Sequence, residues 1–228
     1  MNWDWTRVVR GLALATWGAF FAYLWISGRA TTYIGPKTAW VVTLGALTLP
    51  LVAVAYLWGA RSHPRAASAR EVGANGLLIA PILLALMVPA PSLGALAVKN
   101  KRTKNPPAPI DAPVDGEIRL YEIAWAADSA KYAAANDLAT GKAVDFVGFV
   151  SRDKLPGGQL ELSRFFVSCC AADATAYSVK ITPPAGEPPT PVDAWVRVRG
   201  TLAGQPGSTL SVAATALDKV SEPSNPYN

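Results

Sequence analysis

The string with the most chemical potential is Arg164-Phe165-Phe166-Val167-Ser168-Cys169-Cys170-Ala171-Ala172-Asp173, which sets a guanidinium, two thiols and a carboxylate in one short run. Adjacent Cα atoms stand about 3.8 Å apart, short of the roughly 4.4–6.8 Å spanned by a relaxed disulfide, so Cys169 and Cys170 read as two thiols. On a strand their side chains would point to opposite faces. Three readings stay open. The pair is structural; or, with Asp173, it contacts a divalent metal ion such as zinc or a partner thiol; or it is redox-active. Two thiolates and one carboxylate fall short of a closed four-ligand zinc site.

A second group is Trp195, Arg197 and Arg199, which share one face of an alternating segment and resemble the aromatic and basic mix that stacks and neutralises single-stranded nucleic acid. A solvated sheet face is the competing reading, and charge favours it. Residues 111–228 hold 10 Lys/Arg against 14 Asp/Glu, so this half lacks the positive field of a nucleic-acid binder, and no nucleic-acid partner is expected. The single histidine, His63, lies beside Pro64 and reads as a loop residue, although a neutral imidazole there would suit a transported cation. There is no G-x-S-x-G, no Walker loop and no paired histidine, so hydrolase and NTPase chemistry have no residues to stand on and no enzyme is expected.

The elements that carry these residues divide sharply. Of 228 residues 51% are hydrophobic and 16% charged, against about 25% charged in an average soluble domain. Residues 1–110 hold 11 Lys/Arg and 2 Asp/Glu, a balance of +9 that flanks apolar segments and therefore reads as membrane topology. Charge-free stretches cover 11–28, 38–60 and 72–98, each near the ~20 residues needed to span a bilayer. Trp40 and Trp58 bracket the second stretch at about 27 Å of helix, which puts an indole at each interface. The first stretch follows Arg7 and Arg10 as a signal peptide would, but no small-x-small site precedes residue 30, so it is expected to stay as a span.

The third stretch carries Pro81, Pro89 and Pro91, each lacking a backbone donor that lipid cannot replace. Its 12 Leu, Ile and Val residues favour insertion by roughly 4–7 kcal/mol in sum, so a span over 76–98 is expected, packed on protein rather than on lipid alone. Basic residues divide five (Arg7, Arg10, Arg61, Arg65, Arg70) against six (Arg29, Lys37, Lys99, Lys101, Arg102, Lys104) and do not decide orientation by count; Arg7, Arg10 and the triplet between the second and third spans tilt the expectation to the N-terminus inside, and three crossings then put the C-terminal half outside the cytoplasm.

A transmembrane region over 1–104 ends in the basic collar Lys99 to Lys104, which suits lipid head groups. A stiff Pro-rich linker over 105–116 follows, with Pro106, Pro107, Pro109 and Pro113. Residues 117–228 form the soluble domain. Ala-rich helical spacing predicts one helix over 117–138, with Asn136, Asp137 and Gly141 as stop signals. Period two then takes over around Val144–Val150, Gln159–Ser168, Tyr177–Ile181, Trp195–Leu202 and Leu210–Ala216, with a turn at Leu155-Pro156-Gly157-Gly158. Five short strands in this length predict a small all-β barrel of the oligonucleotide/oligosaccharide-binding (OB) type.

Apolar N-terminal spans, Gly148-Phe149-Val150, the double-Cys string through Ala174, Trp195-Val196-Arg197-Val198-Arg199-Gly200 and the ending Pro223 to Tyr227 together resemble the YcgQ-like family of permease subunits, bacterial membrane proteins of unassigned activity. The resemblance covers nearly the whole chain. It implies a two-component complex with a larger multi-spanning permease, commonly encoded by a neighbouring gene, and a tie to metal homeostasis. The family's double-Cys and Asp positions map onto Cys169, Cys170 and Asp173, and its strand motif onto Trp195 and Gly200. The expected function is therefore an accessory permease subunit in the bilayer. The alternatives are a membrane-anchored module that binds a metal or small ligand, and a thiol redox protein.

Overall fold

A computed structural model describes residues 3–61, 65–87, 92–101 and 116–227. The chain divides into two units, Met1–Pro91 and Ser92–Asn228. The first contains α1 (Trp5–Ile26), a single turn α2 (Ala30–Tyr33), α3 (Trp40–Gly59) and α4 (Ala69–Met87). Three helices, Trp5–Ile26, Pro36–Gly59 and Ala69–Met87, are long and apolar enough to cross a membrane.

Close backbone approach explains how α1 and α3 pack. Gly11 faces Leu57, Gly18 faces Pro50 and Gly45 faces Phe21, a register in which the two helices run antiparallel. A Cβ on Gly18 would stand 2.8 Å from the Pro50 ring, so that crossing needs glycine. Polar caps tie the helix ends. Asp4 accepts from the Arg7 amide at 3.2 Å, and Arg7 Nη1 donates to the Gly59 carbonyl at the end of α3 at 3.0 Å. Ser68 and Glu71 form a capping box on α4, with Ser68 N–H to Glu71 Oε2 at 3.0 Å and Glu71 N–H to Ser68 Oγ at 3.2 Å. Trp17 Nε1 donates to the Leu78 carbonyl at 3.2 Å, next to the turn that Pro81 disrupts.

The third apolar segment departs from the expected 76–98. The helix begins at Ala69, its last described residue is Met87, and residues 95–98 lie in a separate helix, α5 (Ala95–Lys101), that belongs to the second unit. Packing explains the reassignment, because Val98 is buried with Phe149 and Phe165 of the barrel. His63, Pro89, Pro91, Arg102, Lys104 and the prolines of the 105–116 linker lie outside the described residues.

The second unit continues with α6 (Leu120–Asp128) and α7 (Ala130–Ala135), then β1 (Ala143–Arg152), β2 (Leu160–Phe166), β3 (Thr175–Thr182), β4 (Trp195–Ala203) and β5 (Ser211–Lys219). The single helix expected over 117–138 is broken at Ser129, which is extended and whose hydroxyl accepts the Tyr132 amide at 3.2 Å as the N-cap of α7. The strands close in the order β1-β2-β3-β5-β4, with β1 and β4 paired antiparallel and β3 and β5 parallel. This is the OB-like barrel that the strand pattern predicts.

Alternation fills the interior with Val144, Phe146, Val150, Leu162, Val179, Val196, Val198 and Val212, and α6 adds Leu120 and Ile123. Gly148 leaves room for Leu120, whose Cδ1 would lie 2.9 Å from any Cβ there. A second, outer cluster joins Phe149, Phe165 and Trp195 to Val98 of α5 and to Tyr227 of the C-terminal tail.

Candidate functional site

The outer face of β1, β2 and β3 under α5 brings together most of the chemistry in this unit. Its apolar half is the cluster around Phe149 and Phe165. Its polar half is a line of hydroxyls ending on a carboxylate. Ser163 Oγ lies 2.7 Å from Ser178 Oγ and donates to Ser151 Oγ at 2.7 Å, and Ser151 Oγ donates to Glu161 Oε1 at 2.9 Å. Glu161 is 5% exposed. Burying a carboxylate costs several kcal/mol unless it is hydrogen-bonded or paired, and here the serine line together with Arg152, whose Nε lies 3.8 Å from Oε1, meets that cost. A β-bulge between Val150 and Arg152 aims Ser151 at it.

The ends of α5 are fixed by polar contacts. Asp193 Oδ1 accepts the Ala95 amide at 2.6 Å at the start of the helix. At the other end Lys101 Nζ donates to the carbonyls of Ala171 at 3.1 Å and Ala172 at 2.9 Å, inside the double-Cys string. The helix thus touches both the buried Glu161 face and the Cys loop.

That loop follows β2 rather than lying on a strand. Cys169 is exposed and Cys170 partly so, and neither is in a disulfide. Asp173, itself exposed, folds its carboxylate back on the loop, Oδ2 accepting the Cys169 amide at 2.8 Å, while Asp173 N–H donates to the Cys170 carbonyl at 3.0 Å. The Cys169 thiol is pushed above its ordinary range, first by its hydrogen bond to and proximity with Cys170, then by partial desolvation and the Asp173 carboxylate. A raised thiol holds less thiolate at neutral pH and is a poor nucleophile. Among the described residues no group of three His, Cys, Asp or Glu side chains is placed to hold a metal ion. The loop itself offers two thiols and a carboxylate already engaged with a backbone amide.

Cys169 is accordingly expected to alkylate more slowly at pH 7 than free cysteine, with a rate-against-pH midpoint above that of the free thiol. Cys170→Ala, which removes both the hydrogen bond and the charge of the neighbouring thiol, should bring the midpoint down further than Asp173→Asn. Iodoacetamide kinetics across pH check this, and a wild-type midpoint below that of free cysteine would restore the redox-thiol reading.

The other expected residues separate. Trp195 is 9% exposed and meets Phe149 edge-on at 5.4 Å between centroids, so it is no stacking platform. Arg197 is paired in bidentate fashion with Asp145, Nε to Oδ1 and Nη2 to Oδ2 both 2.7 Å, which holds the Asp145 carboxyl below its usual range. Arg199 Nη2 lies 2.6 Å from Asp218 Oδ2. Both guanidiniums thus point to solvent with carboxylates beside them, as the solvated-face reading has it. Arg164 instead turns inward over the Trp195 ring at 6.0 Å and donates to the carbonyls of Val147 at 3.3 Å and Asn225 at 3.0 Å. Burial, then the charge of Arg119, lowers its pKa. It acts as a half-buried strut for the C-terminal tail.

Sequence reasoning missed Glu161 and the serine line. In Leu160-Glu161-Leu162 the acid alternates with core residues and reads as an ordinary solvent-facing charge; its partners Ser151 and Arg152 lie on the neighbouring strand, beyond the reach of a local pattern.

Together, three helices of membrane-spanning length and a closed OB-like barrel with its own docked connector helix define a class of two-part protein. The chain carries both domains of the DUF1980 family: the N-terminal domain matches residues 9–104 and the C-terminal domain residues 122–228. No curated protein matches it. Among solved structures, the crystal structure of the telomere capping protein Ten1 from Saccharomyces pombe is similar at 16% identity with a TM-score of 0.27, covering 45% of this chain and 77% of that one. The S. pombe Stn1-ten1 complex is similar at 16% identity with a TM-score of 0.26, covering 46% and 78%.

Proposed function

We propose that this chain is an accessory subunit of a multi-spanning membrane permease, docking through its apolar helices and presenting the barrel beyond the bilayer, on the extracytoplasmic side. The observation that carries this reading is how little of α4 its own chain covers. Ile82 is buried, whereas Leu77, Leu78, Leu83, Leu84, Leu86 and Met87 are exposed. A Cβ on Gly73 or Gly76 would meet nothing within 4 Å among the described residues. Small residues and a proline inside a spanning helix are features that neighbouring helices normally cover, since Pro81 leaves the Leu77 carbonyl without its helical donor. The link to metal homeostasis belongs to this reading through the permease and needs no ligand set complete within this chain.

Mild detergent extracts test it. The chain is expected to co-elute with a multi-spanning permease, and Gly73→Leu with Gly76→Leu should reduce recovery at least tenfold while the variant still inserts. A wild-type chain that elutes as a free monomer, beside a permease intact without it, overturns the proposal.

A further inference from the structure

Five arginines converge at one end of the three long helices. Arg7 and Arg10 lie in the first turns of α1, Arg61 and Arg65 follow α3, and Arg70 opens α4. Backbone bonds gather these segments: the Asp4 amide donates to the Ala60 carbonyl at 2.8 Å, the Trp5 amide to the Arg65 carbonyl at 2.8 Å, and the Arg65 amide to the Trp3 carbonyl at 3.4 Å. All five arginines are exposed. We infer that this end of the helical unit binds the head group of an anionic phospholipid, one whose phosphodiester charge is not cancelled by an ammonium.

Charge matching points to that class. Asp4 and Glu71 are the two carboxylates among the five guanidiniums. Asp4 is buried, with Oδ2 3.5 Å from Arg7 Nε. Glu71 is committed through Oε2 to the Ser68 amide and hydroxyl and to the Thr6 hydroxyl, and its Oε1 reaches Arg10 only at 3.5 Å. Arg61 lays its guanidinium over the Trp3 ring at 5.6 Å, which occupies a face and leaves the N–H edge. Neither the Arg61 nor the Arg70 guanidinium has a carboxylate or carbonyl partner among the described residues. Like charges gathered beside an apolar layer repel one another unless a counter-charge settles among them, and the planar fork of arginine matches two oxygens of a phosphate. A zwitterionic lipid brings as much positive charge as negative and leaves the surplus in place. The depth is right for a lipid phosphate. Trp5 and Trp58, 56% and 76% exposed, lie at the same end, and exposed indoles settle at head-group level.

The inference rests on the helices crossing a bilayer and not on a permease partner, and the test uses the chain alone. Full-length protein in maltoside micelles is given equimolar dioleoyl phosphatidylglycerol and dioleoyl phosphatidylcholine, and bound lipid is read by native mass spectrometry. The glycerol lipid is expected to be retained at least tenfold over the choline lipid and to saturate. Arg61→Gln with Arg70→Gln should lower its retention about tenfold or more, the loss expected when two arginines leave an anionic surface, with the melting temperature unchanged. Arg29→Gln with Lys37→Gln removes the same charge at the opposite end of α1 and α3 and should cost less than twofold. Equal retention of the two lipids, an unaffected Arg61/Arg70 variant, or an equal loss from the Arg29/Lys37 variant overturns the inference. So does displacement of the lipid by soluble glycerophosphoglycerol, which would make the site one for free phosphate esters. The wild-type preference decides the matter if the Arg61/Arg70 variant fails to fold.

Discussion

Gly200→Ala is expected to destabilise the barrel by about 2–3 kcal/mol, near the top of what one methyl group does in a folded protein. Gly200 lies on β4 where the pairing with β5 shifts register between Arg199 and Gly200. A Cβ there would run into the Ala213 carbonyl oxygen and stand 2.9 Å from the Ala214 Cα. These are backbone atoms of the neighbouring strand and cannot rotate away, so relief requires β5 to move. That movement would part Val198 from Leu217 and Leu202 from Val212, pairs that close the barrel. Hydrogen exchange in micelles is the measurement: protection of the Val198 and Leu202 amides should fall by about 30- to 150-fold. A change below about threefold would show that the bulge absorbs a methyl without moving the strand. The same strand placed Trp195 and Gly200 in the resemblance, and the geometry gives Gly200 a structural reason for its place there.

How much of this was legible depended on the range of the interaction. The interior of the barrel was readable because Val144, Phe146 and Val150 alternate within one strand and need only local pattern to declare their face. The first two spans were readable because apolar length needs no partner. The outer face was not. Trp195 alternates with Arg197 and looks equally solvent-facing, yet α5 and the tail at Tyr227 cover it from opposite ends of the unit's sequence. For the same reason residues 95–98 were counted with the third span: Ala95, Leu96 and Val98 are apolar enough for lipid, and only the barrel they pack on distinguishes them. At Ser129 a single hydroxyl competing for a backbone amide outweighed Ala-rich helical spacing. The Cys string was conspicuous in sequence, whereas Lys101, which grips its carbonyls, looked like one more charge in a basic collar.

Phe165→Ala should have a still larger effect, about 3–5 kcal/mol, and a local one. Phe165 is 1% exposed, stacks on Phe149 at 5.9 Å with 19° between planes, and pairs its backbone with Tyr227. It lies at the centre of the outer cluster, which shares no residue with the barrel interior, so its removal empties the surface that Val98 occupies. Beside a thinned cluster of Phe149, Trp195 and Tyr227, what then holds α5 is polar: Asp193 on the Ala95 amide, Lys101 on two carbonyls, and the Leu93 amide donating to Tyr227 Oη at 3.4 Å. Such hydrogen bonds contribute about 0.5–3 kcal/mol each, the upper end for those of Lys101 and Asp193, and a helix of seven residues is marginal without apolar packing. The amides of Ala97 and Val98, bonded to the Gly94 carbonyl at 2.9 and 3.1 Å, should therefore lose protection far more than those of interior residues such as Leu162. Phe165→Leu, which keeps most of the volume, should restore most of it. If Ala97 and Val98 exchange no faster in Phe165→Ala while global stability falls, the polar contacts hold α5 by themselves. Should they exchange freely, the Cys loop loses Lys101 in the same step, because Lys101 rides on a helix that Phe165 seats.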